Sequence, residues 1–344
     1  MIVMYHGILD DAIRDPILCR GQVHQAAFEQ QIRWLKTHKE IVSLHAYIES
    51  LRRGRPTRDS VAITFDDGYA NHLTNALPIL EAYGAHATFF VPSCLVHETS
   101  FLWFNLLKAA DYLRHGNSQN LSDRLKNYLP SFNATASRYT VDEIMTHFAW
   151  VANAPGVLGS GERVHERTID EERGGLSHAA GNLPHVIREN LRGLNANEMH
   201  RLSASRWAEL ASHAHSHAEL TALAPAKQKK EIVFSRELLN TVSTKPIRYF
   251  AYPRGIFTEA MAAEIEAAGY EAAVAVDTAA STSCDDTGSQ KRSQQFYALP
   301  RLGIFHDSLP RMAWKLRLQS QTGWRRITID QGLRMVRRLT KGRR

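Results

Sequence analysis

The sequence predicts an α/β protein, a parallel sheet or (β/α) barrel interrupted by a large, mainly helical insertion. Two observations carry this: strand-like and helix-like segments alternate over residues 1–97, and the same rhythm returns after about residue 220. At 344 residues the chain exceeds the usual single-domain size but still fits one large barrel.

The elements follow in order. Ile2-Val3-Met4 reads as a short buried strand, and Gln22 to His38 as a helix with Phe28, Ile32 and Leu35 on one face. Ile41-Val42-Ser43 is strand-like, and Ala46 to Arg53 is a helix ending near Gly54 and Pro56. Val61 to Phe65 is a strand running into Asp66, Asn71 to Tyr83 a helix stopped by Gly84, and Ala87 to Val91 the next strand. Beyond the break, Lys227 to Val242 is a helix, Ile247 to Ala251 a strand, Thr258 to Ala268 a helix closed by Gly269, and Ala272 to Val276 a strand. In such folds functional residues gather at the C-terminal ends of the strands.

Between about 98 and 205 the rhythm changes. Phe101 to Arg114 and Thr140 to Val151 look helical, the second opened by a Thr140-x-x-Glu143 capping box, and Pro155 to Leu183 reads as irregular. The expected organisation is therefore a barrel from 1–97 and 206–309, an insertion over 98–205 acting as a lid, a collar or padding, and a tail over 310–344. In that tail Arg311, Lys315, Arg317, Arg325, Arg326, Arg334, Arg337, Arg338, Lys341, Arg343 and Arg344 face a single acid, Asp330. Ile327, Ile329, Leu333, Val336 and Leu339 recur among them at roughly helical spacing. A solvated helix, peripheral contact with an anionic membrane surface and, less in keeping, nucleic-acid binding all fit such a segment.

Cys19, Cys94 and Cys284 are far apart and odd in number, which argues against a zinc ribbon or a disulfide framework and fits a reducing compartment. Met1-Ile2-Val3-Met4-Tyr5-His6-Gly7 has no secretory n-region or h-region, so the expected location is cytoplasmic, with a peripheral position at the inner membrane face open.

Two segments carry the chemistry. In Thr64-Phe65-Asp66-Asp67-Gly68-Tyr69, adjacent carboxylates end an apolar strand, a costly arrangement unless a positive charge sits beside them. Gly68 lets the backbone turn closely and frees amide N–H groups for an oxyanion, although a plain Asp-Asp-Gly turn has the same look. In Ser212-His213-Ala214-His215-Ser216-His217, His213 and His217 project together from a helical turn, whereas His213 and His215 share a face if the segment is extended. Histidine and carboxylate ligands suit zinc, with cobalt or nickel feasible.

Together these segments resemble the polysaccharide deacetylase family, also called the NodB-homology domain or carbohydrate esterase family 4. Thr64 to Tyr69 is similar to its first motif, which implies Asp66 as catalytic base and Asp67 as metal ligand. Ser212 to Leu220 is similar to its second motif, which implies His213 and His217 as the other ligands and His215 as a bystander. Phe250-Ala251-Tyr252-Pro253-Arg254-Gly255 resembles the third motif and implies Tyr252, Pro253 and Arg254 as substrate-pocket residues. The implied fold is a distorted (β/α) barrel of the NodB-homology type.

Four departures stand out. Where many members of the family have an Arg that orients the base, this chain has Ala251, and Arg301 in Leu299-Pro300-Arg301 is the candidate replacement, with a surface salt bridge as its alternative role. Arg254 replaces the usual Tyr of the third motif and would put a cation at the pocket rim. The approach to His213, Trp207 to Ala211, is short for the family's helix and strand. No Leu-x-His motif follows the last helix, so the general acid is expected from Met4-Tyr5-His6, a position used in circularly permuted relatives, with His306 as rival and an ordinary core histidine as the third possibility.

The resemblance implies metal-dependent hydrolysis of an N-acetyl or other N-acyl group from an amino sugar in a glycan, oligosaccharide or lipid-linked precursor. The metal is expected to be Zn2+, with Co2+ or Ni2+ possible, and the Tyr69 backbone N–H is expected in the oxyanion site. The alternatives are a deformylase or amidase on a lipid-linked sugar, and a catalytically inactive carbohydrate-binding relative.

Overall fold

The computed structural model describes residues 1–14, 19, 21–55, 57–97, 101, 102, 104, 105, 185–276 and 294–322. The strands are β1 (Ile2–Tyr5), β2 (Ile8–Leu9), β3 (Val23–His24), β4 (Glu40–Val42), β5 (Ser60–Phe65), β6 (Ala87–Val91), β7 (Ala208–Ser212), β8 (Tyr249–Ala251), β9 (Ala272–Val276) and β10 (Leu299–Gly303). The helices are α1 (Gln25–His38), α2 (Leu44–Arg52), α3 (Leu77–Ala82), α4 (His185–Leu191), α5 (Ala196–Ala204), α6 (Pro225–Val242), α7 (Glu259–Ala267) and α8 (Leu309–Thr322). A π-helical turn, His72–Ala76, leads into α3.

Seven parallel strands close into a barrel in the order β1-β10-β9-β8-β7-β6-β5, with β1 pairing back onto β5. The expected barrel is thus present, and the first strand closes it beside the last. β4 lies outside the ring on the N-terminal half of β5, pairing at Ser60 to Ala62, while β1 takes Ala62 to Phe65. The short pair β2 and β3 stands apart.

The period of two along each strand divides the core into two groups. Ile2, Ala62, Phe90, Ala211, Tyr249, Ala251, Ala272, Val274 and Leu299 form one cluster, which α2 joins through Leu44, Tyr47 and Ile48. Their alternating neighbours, including Val3, Ile63, Phe89, Leu210, Phe250 and Ala273, belong to the second cluster with the residues of the outer helices, such as Phe28, Ile32 and Leu35 of α1. The first cluster is therefore the barrel interior. Four alanines there leave room for a long side chain, which becomes important at the site.

Several boundaries differ from the sequence expectation for local reasons. Ser43 ends no strand: its hydroxyl accepts the Ala46 N–H at 3.1 Å and caps α2, which begins at Leu44. Thr258 caps α7 in the same way through Met261 N–H at 3.3 Å. α6 begins at Pro225, where the missing N–H of proline costs nothing. The approach to His213 is not short: α5, opened by an Asn195–Glu198 capping box, precedes the full strand β7 and packs against it. The helices expected within 106–114 and 140–151, the irregular 155–183 stretch, Cys284 and the tail beyond 322, with its expected lipid contact, lie outside the described residues. Among the described residues, no helix is long and apolar enough to cross a membrane.

Phe89 is fully buried and stacks on Phe65 with ring centroids 4.8 Å apart. Phe89→Ala should cost about 3–5 kcal/mol in urea unfolding. A loss below about 1 kcal/mol would show that this layer is not tightly packed.

Candidate functional site

The C-terminal mouth of the barrel collects the residues singled out in the sequence. Asp66 follows β5, and its N–H donates to Tyr5 O at 3.0 Å, tying the ends of β5 and β1 together. Asp67 then turns into the left-handed region at φ 71°, followed by Gly68 at φ 60°. A side chain at Gly68 would meet Val91 Cγ1 at 2.7 Å, so glycine serves both the turn and the close packing on β6. This turn points the adjacent carboxylates to different partners. Tyr69 then faces Gly193 in an antiparallel bridge whose hydrogen bonds come from Ala70 N–H to Arg192 O and Leu194 N–H to Gly68 O. In that pattern the N–H of Tyr69 itself points away from the Gly193 segment.

Asp66 is gripped by Arg301 of β10. The guanidinium donates Nη1 to Oδ1 at 2.6 Å and Nη2 to Oδ2 at 2.7 Å, a bidentate pair. Nη1 also reaches Thr64 Oγ1 at 3.2 Å, whose hydroxyl donates to Val3 O. The Arg301 side chain is fully buried, with its guanidinium 5.2 Å from the Phe90 ring centre. It is an interior residue and not a surface salt bridge. Burial pushes the Asp66 carboxyl up, but Arg301, His213 and His6 more than offset this and hold it below the usual carboxylate value.

His213 and His217 lie neither on a helical turn nor on a strand. They sit in a loop with Ala214 at φ 64° and His217 at φ 60°, conformations that cost a non-glycine residue on the order of 1–3 kcal/mol each. Glu231 of α6 holds this loop by accepting His215 N–H at 2.9 Å, Ser216 N–H at 2.8 Å and the Ser216 hydroxyl at 2.7 Å. Ser93 N–H and Ser235 Oγ both donate to Ala214 O. His215 turns away to pair with Ser93 Oγ at 2.8 Å. His217 Nε2 stands 3.3 Å, and His213 Nε2 3.7 Å, from Asp67 Oδ1. His213 Nδ1 is 2.8 Å from Ala251 O; donation to that carbonyl leaves the Nε2 lone pair facing the carboxylates.

His6, just after β1, brings Nε2 to 3.9 Å from Asp67 Oδ2. The backbone at His6 and Ile8 is clipped by three side chains from the turn that follows Asp67. His72 Nε2 donates to His6 O at 3.1 Å, Asn71 Oδ1 accepts Ile8 N–H at 3.1 Å, and Asn75 Nδ2 donates to Ile8 O at 2.8 Å. His306 instead lies among α8 side chains, where burial, Lys315 and Arg311 lower its proton affinity, and it has no ion-pair contact with Asp66 or Asp67 among the described residues.

The third motif is placed differently from the expectation. Tyr252 is fully buried, donates its hydroxyl to Tyr297 O at 2.9 Å and stacks on Phe257, so its side chain packs in the core. Pro253 is buried as well. Arg254, at φ 60° and half exposed, faces Glu219 Oε2 at 3.3 Å. Glu231, His72, Asn71, Asn75 and Glu219 were not singled out in the sequence, where each is an ordinary polar helix or loop residue.

Asp67, His213 and His217 offer one carboxylate and two imidazole donors within 4.8 Å of one another. Those donors, with the His213 tautomer set by Ala251 O, fit a divalent cation of the zinc type. Burial would raise the Asp67 carboxyl, yet His6, His217 and His213 hold it well below the ordinary value. Burial lowers both His213 and His72 to about 4. Between about 6.5, their unfolded value, and about 4, the unfolded chain takes up protons that these two folded histidines refuse. Stability of the metal-free protein should therefore fall as pH drops through that window, before protonation of Asp66 and Asp67 takes effect below about 4. The urea midpoint should be lower at pH 5 than at pH 7, and His72→Phe should reduce the difference. A His72→Phe variant with the same pH dependence as the unsubstituted protein would contradict the buried, neutral state of the His72 ring.

A family model described as polysaccharide deacetylase matches residues 53–115 and 177–273. Those segments contain Asp66, Asp67, His213 and His217, whereas His6 and Arg301 fall outside them. A poly-beta-1,6-N-acetyl-D-glucosamine N-deacetylase of Staphylococcus aureus is 38% identical over 80 residues, covering 23% of this chain and 28% of the relative's own length. Among solved structures, the Streptococcus pyogenes deacetylase PplD in complex with acetate aligns with TM-score 0.54 and 17% identity over 93% of this chain and 96% of that one. A polysaccharide deacetylase from Bacillus cereus aligns with TM-score 0.53 and 16% identity over 92% of this chain and 68% of that one. The structural likenesses bear on the fold. The family match and the two motifs agree: over residues 53–115 and 177–273 the chain is similar to the polysaccharide deacetylase family.

Proposed function

We propose that the chain is a metal-dependent hydrolase that removes the N-acetyl group from an amino sugar in a glycan or oligosaccharide. One observation carries this reading. A carboxylate gripped by a buried guanidinium stands beside a separate Asp-His-His donor set, with His6 at the end of the neighbouring strand facing Asp67.

In this reading Asp67, His213 and His217 hold the cation, with Zn2+ the best match to the donors. When bound there, a divalent cation supplies a Lewis acid for the acyl carbonyl and makes a water easier to deprotonate. Asp66 is the general base. Arg301 keeps it ionised and aimed, so that it can take the proton of the attacking water as the new C–O bond forms. The Tyr69 N–H, turned away from the Gly193 segment, donates to the oxyanion. His6 Nε2 gives its proton to the departing nitrogen as the C–N bond breaks, releasing acetate and the free amine. His72 holds the His6 backbone, and Asn71 and Asn75 hold that of Ile8, to the segment that follows Asp67. α5, within the expected 98–205 insertion, packs on β7 of the barrel.

Acetate release from N-acetylglucosamine oligomers is the direct assay. Asp66→Asn should lower kcat by about 10²–10⁴-fold while metal content stays unchanged. Asp67→Asn should lower metal content itself, and chelation should abolish turnover reversibly. If the metal-replete protein releases no acyl group from amino-sugar monomers, oligomers or lipid-linked forms, or if Asp66→Asn keeps full activity, the reading fails.

A further inference from the structure

The rim of the mouth carries an aromatic side chain that the proposed chemistry does not use. Phe305 follows β10, and it is a large apolar residue left 40% exposed. A single exposed ring is ordinary by itself, and what marks this one is its place beside His6. The Phe305 ring lies 5.5 Å from the His6 ring, at an interplanar angle of 44°. His6 is itself 3.9 Å from Asp67, so Phe305 borders the proposed reacting centre.

The ring is held in a defined place. Gly303 pairs with Met4 of β1, and Ile304 N–H donates to Met4 O at 2.8 Å, which draws the two chain segments together just before His6 and Phe305. A Cβ on Gly303 would come within 2.2 Å of Phe305 Cε2 and 2.3 Å of Cζ, so the ring occupies the space that the missing side chain leaves. Lys315 of α8 donates Nζ to Gly303 O at 3.0 Å and lies 5.9 Å from the Phe305 ring centre. Histidine, a glycine cradle and a lysine stem thus fix an exposed aromatic ring beside the catalytic centre.

We infer that Phe305 is a saccharide-binding subsite, on which a pyranose ring of the substrate stacks. The inference rests on the amino-sugar reading given above. The face of an aromatic ring carries partial negative charge. The C–H bonds on one face of a β-linked pyranose carry partial positive charge and form a flat apolar surface of similar size. A chain of such sugars would lay one ring on Phe305 while an N-acetyl group enters the site between His6 and Asp66. A small acyl ester without a sugar would not use this contact.

The test compares full-length protein and its Phe305→Ala and Phe305→Trp variants on three probes. These are a β-linked N-acetylglucosamine pentamer, the fully de-N-acetylated pentamer as a product-like ligand that cannot turn over, and an aryl acetate. Phe305→Ala should raise KM for the acetylated pentamer and weaken Kd for the product pentamer by about 3–10-fold, the range expected for one aromatic contact. kcat should change less than about 2-fold, kcat/KM for the aryl acetate should be unchanged, and Phe305→Trp should restore affinity. A pentamer kcat lowered by about 10-fold or more would overturn the proposal, because Phe305 would then support His6, the acid for the departing nitrogen. So would an unchanged pentamer Kd. If the protein releases no acyl group but product-pentamer binding still depends on Phe305, the subsite stands and the deacetylase reading alone fails.

Discussion

The structure turns on the bidentate contact between Arg301 and Asp66, made inside the barrel from β10 to β5. Burying two charges costs several kcal/mol per ion, and the pair repays it only with near-ideal geometry and few unmet polar atoms. The barrel supplies the geometry and, among the described residues, leaves the Arg301 Nε as the guanidinium nitrogen without a hydrogen-bond partner. β1 lies between the two strands, with Ile2 in register with both Arg301 and Ala62, so the hydrogen-bonded ring sets the distance the guanidinium must span. Thr64 takes a second Nη1 hydrogen bond, and Phe90 offers its ring face. Ala62, Ala211, Ala251 and Ala272 keep the interior open for the long side chain.

This pair also separates the two neighbouring carboxylates. With both Asp66 oxygens held by Arg301, Asp67 makes the contact to His217 and the shorter of the two contacts to His213. The left-handed turn at Asp67 and Gly68 makes the divergence possible, and the two left-handed residues of the histidine loop complete it. That conformational cost is offset by Glu231, which takes three hydrogen bonds from the loop, and by the two donors on Ala214 O. The site is thus stiffened from α6 on one side and from the π-helical turn behind His6 on the other. Such support is what a reactive constellation needs to hold its geometry.

The barrel and the four central residues were legible because their signals are local. Strand and helix periods alternate along the chain, and each motif is contiguous in sequence. The supporting contacts were harder to read because they join residues far apart. Arg301 was a candidate only because Ala251 lacks the charge that a buried Asp requires; nothing in Leu299-Pro300-Arg301 distinguishes an interior arginine from a surface one. The clip by His72 and the brace by Glu231 depend on tertiary placement, and neither residue has a sequence signature. β7 was missed because Ala208-Glu209-Leu210-Ala211-Ser212 is short and alanine-rich, with weak intrinsic strand preference. Tyr252 was assigned to the pocket through its motif, but strand alternation and the acceptor at Tyr297 O send its side chain into the core.

The central claim is a division of labour between two adjacent aspartates. A crystal structure of the protein soaked with Zn2+ or Co2+, with anomalous data at the metal edge, tests it most directly. The account predicts one metal bound by Asp67, His213 and His217, with Asp66 still paired to Arg301 and outside the metal's inner ligands. A metal held by Asp66, or an Arg301 released from it on metal binding, would contradict the account.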